Sequence, residues 1–475
     1  FQTGYKNPID EAIKEELKST DILEFKKLDE LPYDFNRKRL SVLIKKDQEN
    51  LLITKGAYSH VIDICTYAEI DGEVVDIRKV MQEIQKIYTQ YSTQGFRLIA
   101  IAYKPMKGES ISYGDEEGEI FLGFVVMHDP LKEDAKNVVE KLLSLGVELR
   151  IITGDNRLVA EYVAEKLGLK GKVMSGEDFK NFSEEALIRR IKDVFVFAEL
   201  SPLQKERVVS ALKKAGYVVG YMGDGINDVT AMRSADVAIS VENAVDVAKE
   251  SADIVFLKPD LNTVIDAVLE GRKTFLNTMK YLFMQTSSNF GNVFSMAGAS
   301  LLVPFLPMLP KQVLTANLLT DIAVMSIPAD GVDDDWIKLP KRWNIEFIEK
   351  FMFFFGLLSS FFDYITFTFL LYILGATSET FRTAWFLEGL FTQILVLLIL
   401  RTRKPSIKSK PSSLLIFTVF VTGVTGLLIP FTPLGNLLEL KPLNLTLYVF
   451  IFLITLLYLV SVEALKRLFY RRYNL

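Results

Sequence analysis

The sequence predicts a multi-domain protein in three parts: an α+β module over residues 1–119, an α/β unit on a parallel sheet over 120–275, and a six-helix membrane domain over 276–475. Three observations carry this. Long apolar runs with few charges fill residues 280–462, whereas charges are spread throughout 1–275. Residues 120–257 alternate strand-like and helix-like segments, which argues for a parallel sheet with helices on both faces. Residues 1–119 combine a helical stretch with strands suited to antiparallel pairing.

In the first module "NPIDEAIKEEL" reads as a helix, "RLSVLIK" and "NLLITKG" as paired strands, and "FRLIAIAY" as another strand. Phe35, Lys55 and Arg97 are an aromatic and two cations near strand ends. Such a set could stack an adenine and bind phosphates. From the residues alone, ordinary core and surface is the favoured reading of the three.

In the second part "FLGFVVMHDP" reads as a strand ending at Asp129-Pro130, and "KEDAKNVVEKLLSLG" as a helix closed by Gly146. "VELRIITGD" is a buried strand ending at Thr153-Gly154-Asp155. A helix, the strand "VFVFAE" and a helix opened by Pro202 follow. Then come "YVVGYMGDGIND", "DVAIS" and "DIVFL". Parallel sheets bind ligands at the carboxyl ends of their strands. There stand Thr153, Asp155, Asp224 and Asp228, with Lys205 one turn into its helix. A hydroxyl, an ammonium and carboxylates suit a phosphate with Mg²⁺. Gly223 and Gly225 allow a tight turn and close approach. Asp228 could instead cap the helix that follows.

Six segments are expected to span a bilayer, near 281–303, 311–329, 351–374, 384–400, 412–430 and 445–462. Most have the ~20 apolar residues required. One set of loops and the tail carry Lys338, Lys341, Arg342, Lys350, Arg401, Arg403, Lys404, Lys408, Lys410, Lys466, Arg467, Arg471 and Arg472. The opposite loops carry Lys311, Arg382 and Lys441. The positive-inside rule puts the basic loops, the tail and the soluble parts in the cytoplasm of a cell-membrane protein. Inside the spans, Asn289 and Asn292 share one helical face, and Asn317, Thr320 and Asp321 stand at helix spacing. Carboxylate and amide oxygens suit a hard divalent cation. Interhelical hydrogen bonding by Asn and Thr is the other reading. Asp363 and Glu388 also lie in or near spans, but neither sits in a polar cluster of the sequence.

The net charge is −4 and the basic residues form no patch outside the membrane flanks, which speaks against a nucleic-acid partner. Cys65 is the one cysteine, which excludes an intrachain disulfide and suits a reducing compartment. No signal peptide is evident, and the chain begins in mid-pattern at Phe1, as a piece of a longer protein would.

The motifs "KGA" at Lys55, "FRLIAIA" at Arg97, "HDPLKEDA" at Asp129, "TGDN" at Thr153, "SPLQKERVV" at Lys205 and "GDGINDVTAM" at Asp224 resemble those of the P-type ATPases. Their order and approximate spacing match, over essentially the whole chain. "MKYLFMQTSSNFGNVFS", "FLPMLP", "NLLTD", "IPADGVDDD" and "PKRWN" look like the bacterial magnesium-transporting class.

The resemblance implies a nucleotide-binding domain over 1–119, a haloacid-dehalogenase-like (Rossmann-like) phosphorylation domain with stalk helix over 120–275, and a transmembrane domain over 276–475. It implies ATP and Mg²⁺ as cofactors. Phe35 would stack the adenine, with Lys55, Arg97 and Asp10 as further nucleotide contacts. Thr153, Gly154 and Lys205 would hold the transferred phosphoryl group, with Asp155 beside them in the catalytic set. Asp224 and Asp228 would hold Mg²⁺, supported by Asn227. Asn289, Asn292, Asn317, Thr320 and Asp321 would line the transport site.

The sequence departs from the family pattern in several places. Glu199 stands in "FAEL" where Arg is usual, "DPL" replaces "DPP", and Val229-Thr230 replaces Ala-Pro. No "DKTGT" motif, which carries the family's phosphorylated aspartate, occurs in these residues. The expectation is therefore the C-terminal part of an ATP-driven divalent-cation transporter, with magnesium import into the cytoplasm as its activity. It would lack the first strand of the phosphorylation domain, the actuator domain and the first four spans. Alone it would be inactive, and a missing N-terminal half or another chain would complete it. The alternatives are a pump for calcium or another cation, a non-catalytic membrane nucleotide-binding protein, and a membrane-tethered phosphatase of the same Asp-dependent fold. The lipid bilayer and ATP are the other expected partners.

Overall fold

The computed structural model describes residues 10, 12–13, 25–34, 37–47, 49–258 and 260–473. The helix expected over 7–17 is described at residues 10, 12 and 13, which are helical; Phe35 lies outside the described residues. Two compact units result, residues 1–143 with 147–263, and residues 144–146 with 264–475.

The first unit opens with strands β1 (Lys26–Asp34), β2 (Arg39–Lys46), β3 (Glu49–Ala57), β4 (Cys65–Ile70), β5 (Glu73–Asp76), β6 (Arg97–Met106) and β7 (Glu119–Met127). They form one sheet in the order β1-β2-β3-β6-β7-β4-β5. β2 and β3 are rich in Leu, Ile and Val, which suit a pleated, half-buried surface. They pair antiparallel without a break from Arg39↔Gly56 to Lys46↔Glu49. β7 had been expected beside the parallel strands. Instead it runs antiparallel to β6, from Arg97↔Met127 to Tyr103↔Ile120, and parallel to β4. Its aromatic residues decide this: Phe121 and Phe124 pack with Tyr58, Ile84 and Tyr88 on that sheet.

The remainder of the unit alternates as expected. Its elements are α1 (Ala135–Ser144), β8 (Ile151–Ile152), α2 (Arg157–Lys166), β9 (Lys172–Ser175), α3 (Glu184–Arg190), β10 (Val194–Ala198), α4 (Pro202–Lys214), β11 (Gly220–Met222), α5 (Val229–Ser234), β12 (Val237–Val241) and β13 (Ile254–Phe256). Every ladder is parallel. The single sheet expected here is in two pieces, β8-β10-β9 and β11-β12-β13. Among the described residues β8 and β11 are therefore sheet edges, and Ile152 of β8 packs against the cores of both pieces.

The second unit consists of helices. They are α6 (Asn262–Leu302), α7 (Pro310–Val324), α8 (Ile345–Thr368), α9 (Ser378–Leu400), α10 (Ser413–Leu428) and α11 (Leu445–Arg472), with shorter turns between. Among the described residues, five stretches are long and apolar enough to cross a membrane: Pro310–Ala329, Ile345–Ile373, Ser378–Leu400, Ser413–Phe431 and Leu445–Arg472. The expected first span, 281–303, is the C-terminal part of α6 and is not one of the five. Gln285, Ser287, Ser288, Asn289 and Asn292 interrupt its apolar run. Two helices start before the spans expected at 351 and 384, at Ile345 and Ser378. Asn344 and Thr377 cap them, so a charged first turn precedes each apolar run.

Asp363 and Glu388 are not isolated, contrary to their sequence surroundings. Both are buried in one polar cluster between α6, α8 and α9. Ser295 Oγ donates to Asp363 at 2.5 Å and Trp385 Nε1 at 3.0 Å. The Glu388 carboxyl meets that of Asp363, and its Oε2 is buried without a hydrogen-bond partner. The partners lie on separate helices far apart in sequence, so local pattern could not reveal them.

Candidate active site

The site is built where β8, β10 and β11 end. Ile151 and Ile152 are fixed by pairing with β10, and Thr153 continues that ladder through its N–H to Phe197 O at 2.8 Å. The chain then turns. Thr153 Oγ1 donates to Asp155 Oδ2 at 2.9 Å and accepts from the Asp155 N–H at 3.0 Å. Asn156 caps α2 through the Val159 N–H, so Gly154 and Asp155 form a rigid strand-to-helix corner.

Lys205 is set by its helix start. Ser201 and Gln204 form a reciprocal capping box with Pro202 in the first turn, which fixes the register of α4. Lys205 is buried, and its Nζ donates to Asp228 Oδ1 at 2.8 Å. Tyr221 of β11 donates its hydroxyl to the same oxygen at 2.8 Å. Burial pushes the Tyr221 hydroxyl well above the usual phenol range, and the Asp228 charge adds to this, so it remains a donor. The Gly225 N–H reaches Asp228 Oδ2 at 3.4 Å.

The glycines of "GDGIND" have a steric reason. A Cβ on Gly223 would lie 2.5 Å from the Asp228 Cβ. The close approach keeps Asp228 folded back over the loop, with Asn227 beside it half-buried. Asp224 is exposed on the same loop, and its carbonyl accepts from the Val245 N–H at 3.0 Å.

Arg97 arrives from β6. Its Nη2 donates to Asp155 Oδ2 at 2.8 Å and its Nη1 lies 3.6 Å from Asp129 Oδ2. Lys55 is ion-paired with Asp10. The structure thus groups Thr153, Gly154, Asp155 and Arg97, groups Lys205 with Asp228 and Asn227, and places Lys55 with Asp10 elsewhere. Glu199, where the family pattern has Arg, adopts a φ of 58° and accepts from the Arg157 N–H at 3.3 Å. That left-handed backbone is uncommon for a residue with a Cβ and lies beside the site.

No group of three or more metal-ligating His, Cys, Asp or Glu side chains occurs among the described residues. The two carboxylates of the glycine loop still fit Mg²⁺. That ion takes one or two carboxylates and fills its remaining positions with water and phosphate oxygens.

In the second unit the expected transport residues divide. Asn292 of α6 and Thr320 of α7 are joined by Gln393 of α9, which the sequence had not singled out. Gln393 Nε2 donates to Asn292 Oδ1 at 3.0 Å, and Thr320 Oγ1 donates to Gln393 Oε1 at 3.2 Å. Asn289, Asn317 and Asp321 are exposed on this unit. A lone glutamine in an apolar helix is a signal only in that burying its amide without partners is unfavourable.

Comparison with known proteins bears on both halves. Residues 6–134 match the family model "P-type ATPase, cytoplasmic domain N", and residues 305–468 match "Cation transporting ATPase, C-terminus". The chain is 40% identical over 488 aligned residues to the "Magnesium-transporting ATPase, P-type 1" of Escherichia coli K12, covering 100% of this chain and 54% of that protein. It is 39% identical over 488 residues to the protein of that name in Salmonella typhimurium 14028s, covering 100% and 54%. It is 32% identical over 329 residues to the "Calcium-transporting ATPase" of Bacillus subtilis 168, covering 67% of this chain and 37% of that protein. The chain spans about half the length of the magnesium-transporting relatives it matches. The two family models lie at opposite ends of the chain, and full-length similarity joins them: the chain belongs to the P-type ATPase family.

Proposed function

We propose that the chain is part of an ATP-driven cation transporter that works through an aspartyl-phosphate, with Mg²⁺ as its cargo and import into the cytoplasm as its direction. The observation that carries this reading is the pair of sheet edges. Thr153 and Asp155 follow β8, Asp224 and Asp228 follow β11, and both strands lack a neighbour on the site side among the described residues. A strand carrying the phosphorylated aspartate would fill that position between them. The names of the relatives that cover the whole chain support magnesium; the calcium-transporting relative matches two thirds of it.

The residues divide the work. The Lys205 ammonium, buried against Asp228, neutralises phosphoryl oxygens as charge builds on them. The Thr153 hydroxyl turns from Asp155 to donate to the same group. Arg97, already held by Asp155, steers nucleotide phosphates toward the corner. Asp224 and Asp228 hold Mg²⁺, which when bound screens the transferred phosphoryl charge. Lys55 and Asp10 sit on the nucleotide side, with Phe35 for the adenine.

In the membrane half, the Asn292–Gln393–Thr320 chain fixes three helices around an oxygen-rich surface, and the exposed Asn289, Asn317 and Asp321 leave it open for further helices to complete. The excess of Lys and Arg on one set of loops supports a cytoplasmic position for the first unit, by the positive-inside rule. The test is cation uptake by the parent protein in vesicles. ATP-dependent Mg²⁺ entry, abolished by Asp321→Asn, supports the reading. Ca²⁺ transport without Mg²⁺ transport would replace the cargo. Nucleotide binding with no transport would replace the function.

A further inference from the structure

The seven-stranded sheet holds two buried carboxyls that the site above does not use, Glu116 and Glu119. A chain of short contacts joins them. Ser41 Oγ lies 2.6 Å from Glu116 Oε1 and 2.8 Å from Thr54 Oγ1. Thr54 Oγ1 in turn lies 2.6 Å from Glu119 Oε1. Ser41 and Thr54 are direct partners across β2 and β3, and Glu119 opens β7.

Glu116 is the charged end. Arg37 Nη1 donates to it at 2.6 Å and Arg39 Nε at 2.9 Å. Burial works against that charge, but the hydrogen bonds from Arg37, Ser41 and Arg39 outweigh it and hold the carboxyl below its ordinary range.

Proton counting decides the other end. Three links need three protons, and two hydroxyls supply two. If Ser41 donates to Glu116 and Thr54 to an ionised Glu119, the Ser41–Thr54 contact holds no proton. The third proton has one place to sit. We infer that Glu119 carries a proton and donates to Thr54, which donates to Ser41, which donates to Glu116, so that a four-residue proton chain locks β2, β3 and β7 together and opens when that proton leaves.

The surroundings agree. Burial pushes Glu119 up to about 7; the Thr54 hydrogen bond, Arg39 and Lys104 oppose this, and the Glu116 charge adds to it. Cys65 of β4 is its cross-strand neighbour, and Glu119 Oε2 is buried with no hydrogen-bond partner. Loss of the proton would therefore fall close to neutral pH. Thr54 is next to Lys55, so the lock would also set the strand that presents Lys55. That coupling rests on the nucleotide reading above; the lock itself does not.

The test is amide hydrogen exchange of the full chain in lipid nanodiscs, corrected for intrinsic rates, from about pH 5 to about 8. One proton released per opening event makes the opening constant of β2 and β3 rise about tenfold per pH unit, flattening above the Glu119 titration. Glu119→Gln, which keeps an N–H donor toward Thr54, removes the slope. Ser41→Ala frees the Thr54 hydroxyl to donate to an ionised Glu119, so the midpoint moves to lower pH. Burial alone would leave that midpoint in place. A flat wild-type profile, or a Ser41→Ala midpoint equal to wild type, overturns the inference. Since no nucleotide is present, neither result depends on the function proposed for the site.

Discussion

Lys205 and Asp228 join the two pieces of the parallel sheet: Lys205 on the helix after β10 places its Nζ 2.8 Å from Oδ1 of Asp228, which follows β11. Both side chains are largely buried, so neither charge is screened well by water. Lys205→Ala leaves Asp228 uncompensated and is expected to destabilise the first unit by about 3 kcal/mol. Lys205→Met with Asp228→Asn should recover much of this. Urea unfolding of the two variants measures the difference, and equal losses would show that the pair is not coupled.

Gly223 sets the position of Asp228. Gly223→Ala forces its new Cβ into the Asp228 side chain, 2.5 Å away, and should lower stability by about 1–3 kcal/mol. In the parent protein it should also reduce metal-dependent ATPase activity more than an equally destabilising substitution on α3. Activity that merely tracks stability would count against a positional role.

Gln393 is expected to matter for the cation. Gln393→Leu leaves Asn292 and Thr320 without their shared partner, at about 1–3 kcal/mol. The cation concentration giving half-maximal ATPase activity of the parent protein should rise about tenfold or more, with nucleotide affinity unchanged. An unchanged cation dependence would remove Gln393 from the transport surface.

The loop after the expected second span holds a second buried ionic group. Asp330 Oδ2 lies 3.4 Å from Lys280 Nζ and 3.2 Å from Arg401 Nη1, and its Oδ1 accepts from the Ser412 N–H at 3.0 Å. Asp330→Ala strands two buried cations and should cost about 3–5 kcal/mol, read as thermal unfolding in detergent. Asp330→Asn should cost nearly as much, because the amide keeps the shape without the charge.

For the first unit the sign of the pH dependence follows from Glu119. Its folded value, about 7, lies above the ordinary 4.5, so its contribution is complete below about pH 4.5 and is lost as pH rises through about 7. The loss amounts to about 3 kcal/mol. Denaturant midpoints at pH 5 and pH 8 should differ in that direction for wild type and hardly at all for Glu119→Gln.

Much of this was readable in the sequence. The β2–β3 pairing follows from two aliphatic strands separated by polar residues, and the ends of β8 and β11 from apolar runs that stop at Gly and Asp. Five of the expected spans follow from apolar length. What escaped depends on distance along the chain. Arg97 reaches Asp155 from another sheet, and Asp363 finds Ser295 and Trp385 on other helices. Gln393 stands beside Thr392 in an otherwise apolar run, with no local pattern to mark it. The division of the parallel sheet was equally hidden, because each strand satisfies the same local rule whether or not its neighbour is present. Asp10 and Lys55 form one pair, but which ligand they would meet is not encoded in that spacing.

The most direct test of the account is acid-stable phosphorylation from γ-labelled ATP. The 475-residue chain should form no labelled band by itself. Co-expressed with an N-terminal segment that carries the aspartate-bearing strand, it should yield a labelled phosphoenzyme that Asp224→Asn and Lys205→Ala abolish. A band on the 475-residue chain alone would contradict the claim that its site is the nucleophile-lacking part of a phosphoryl-transfer centre.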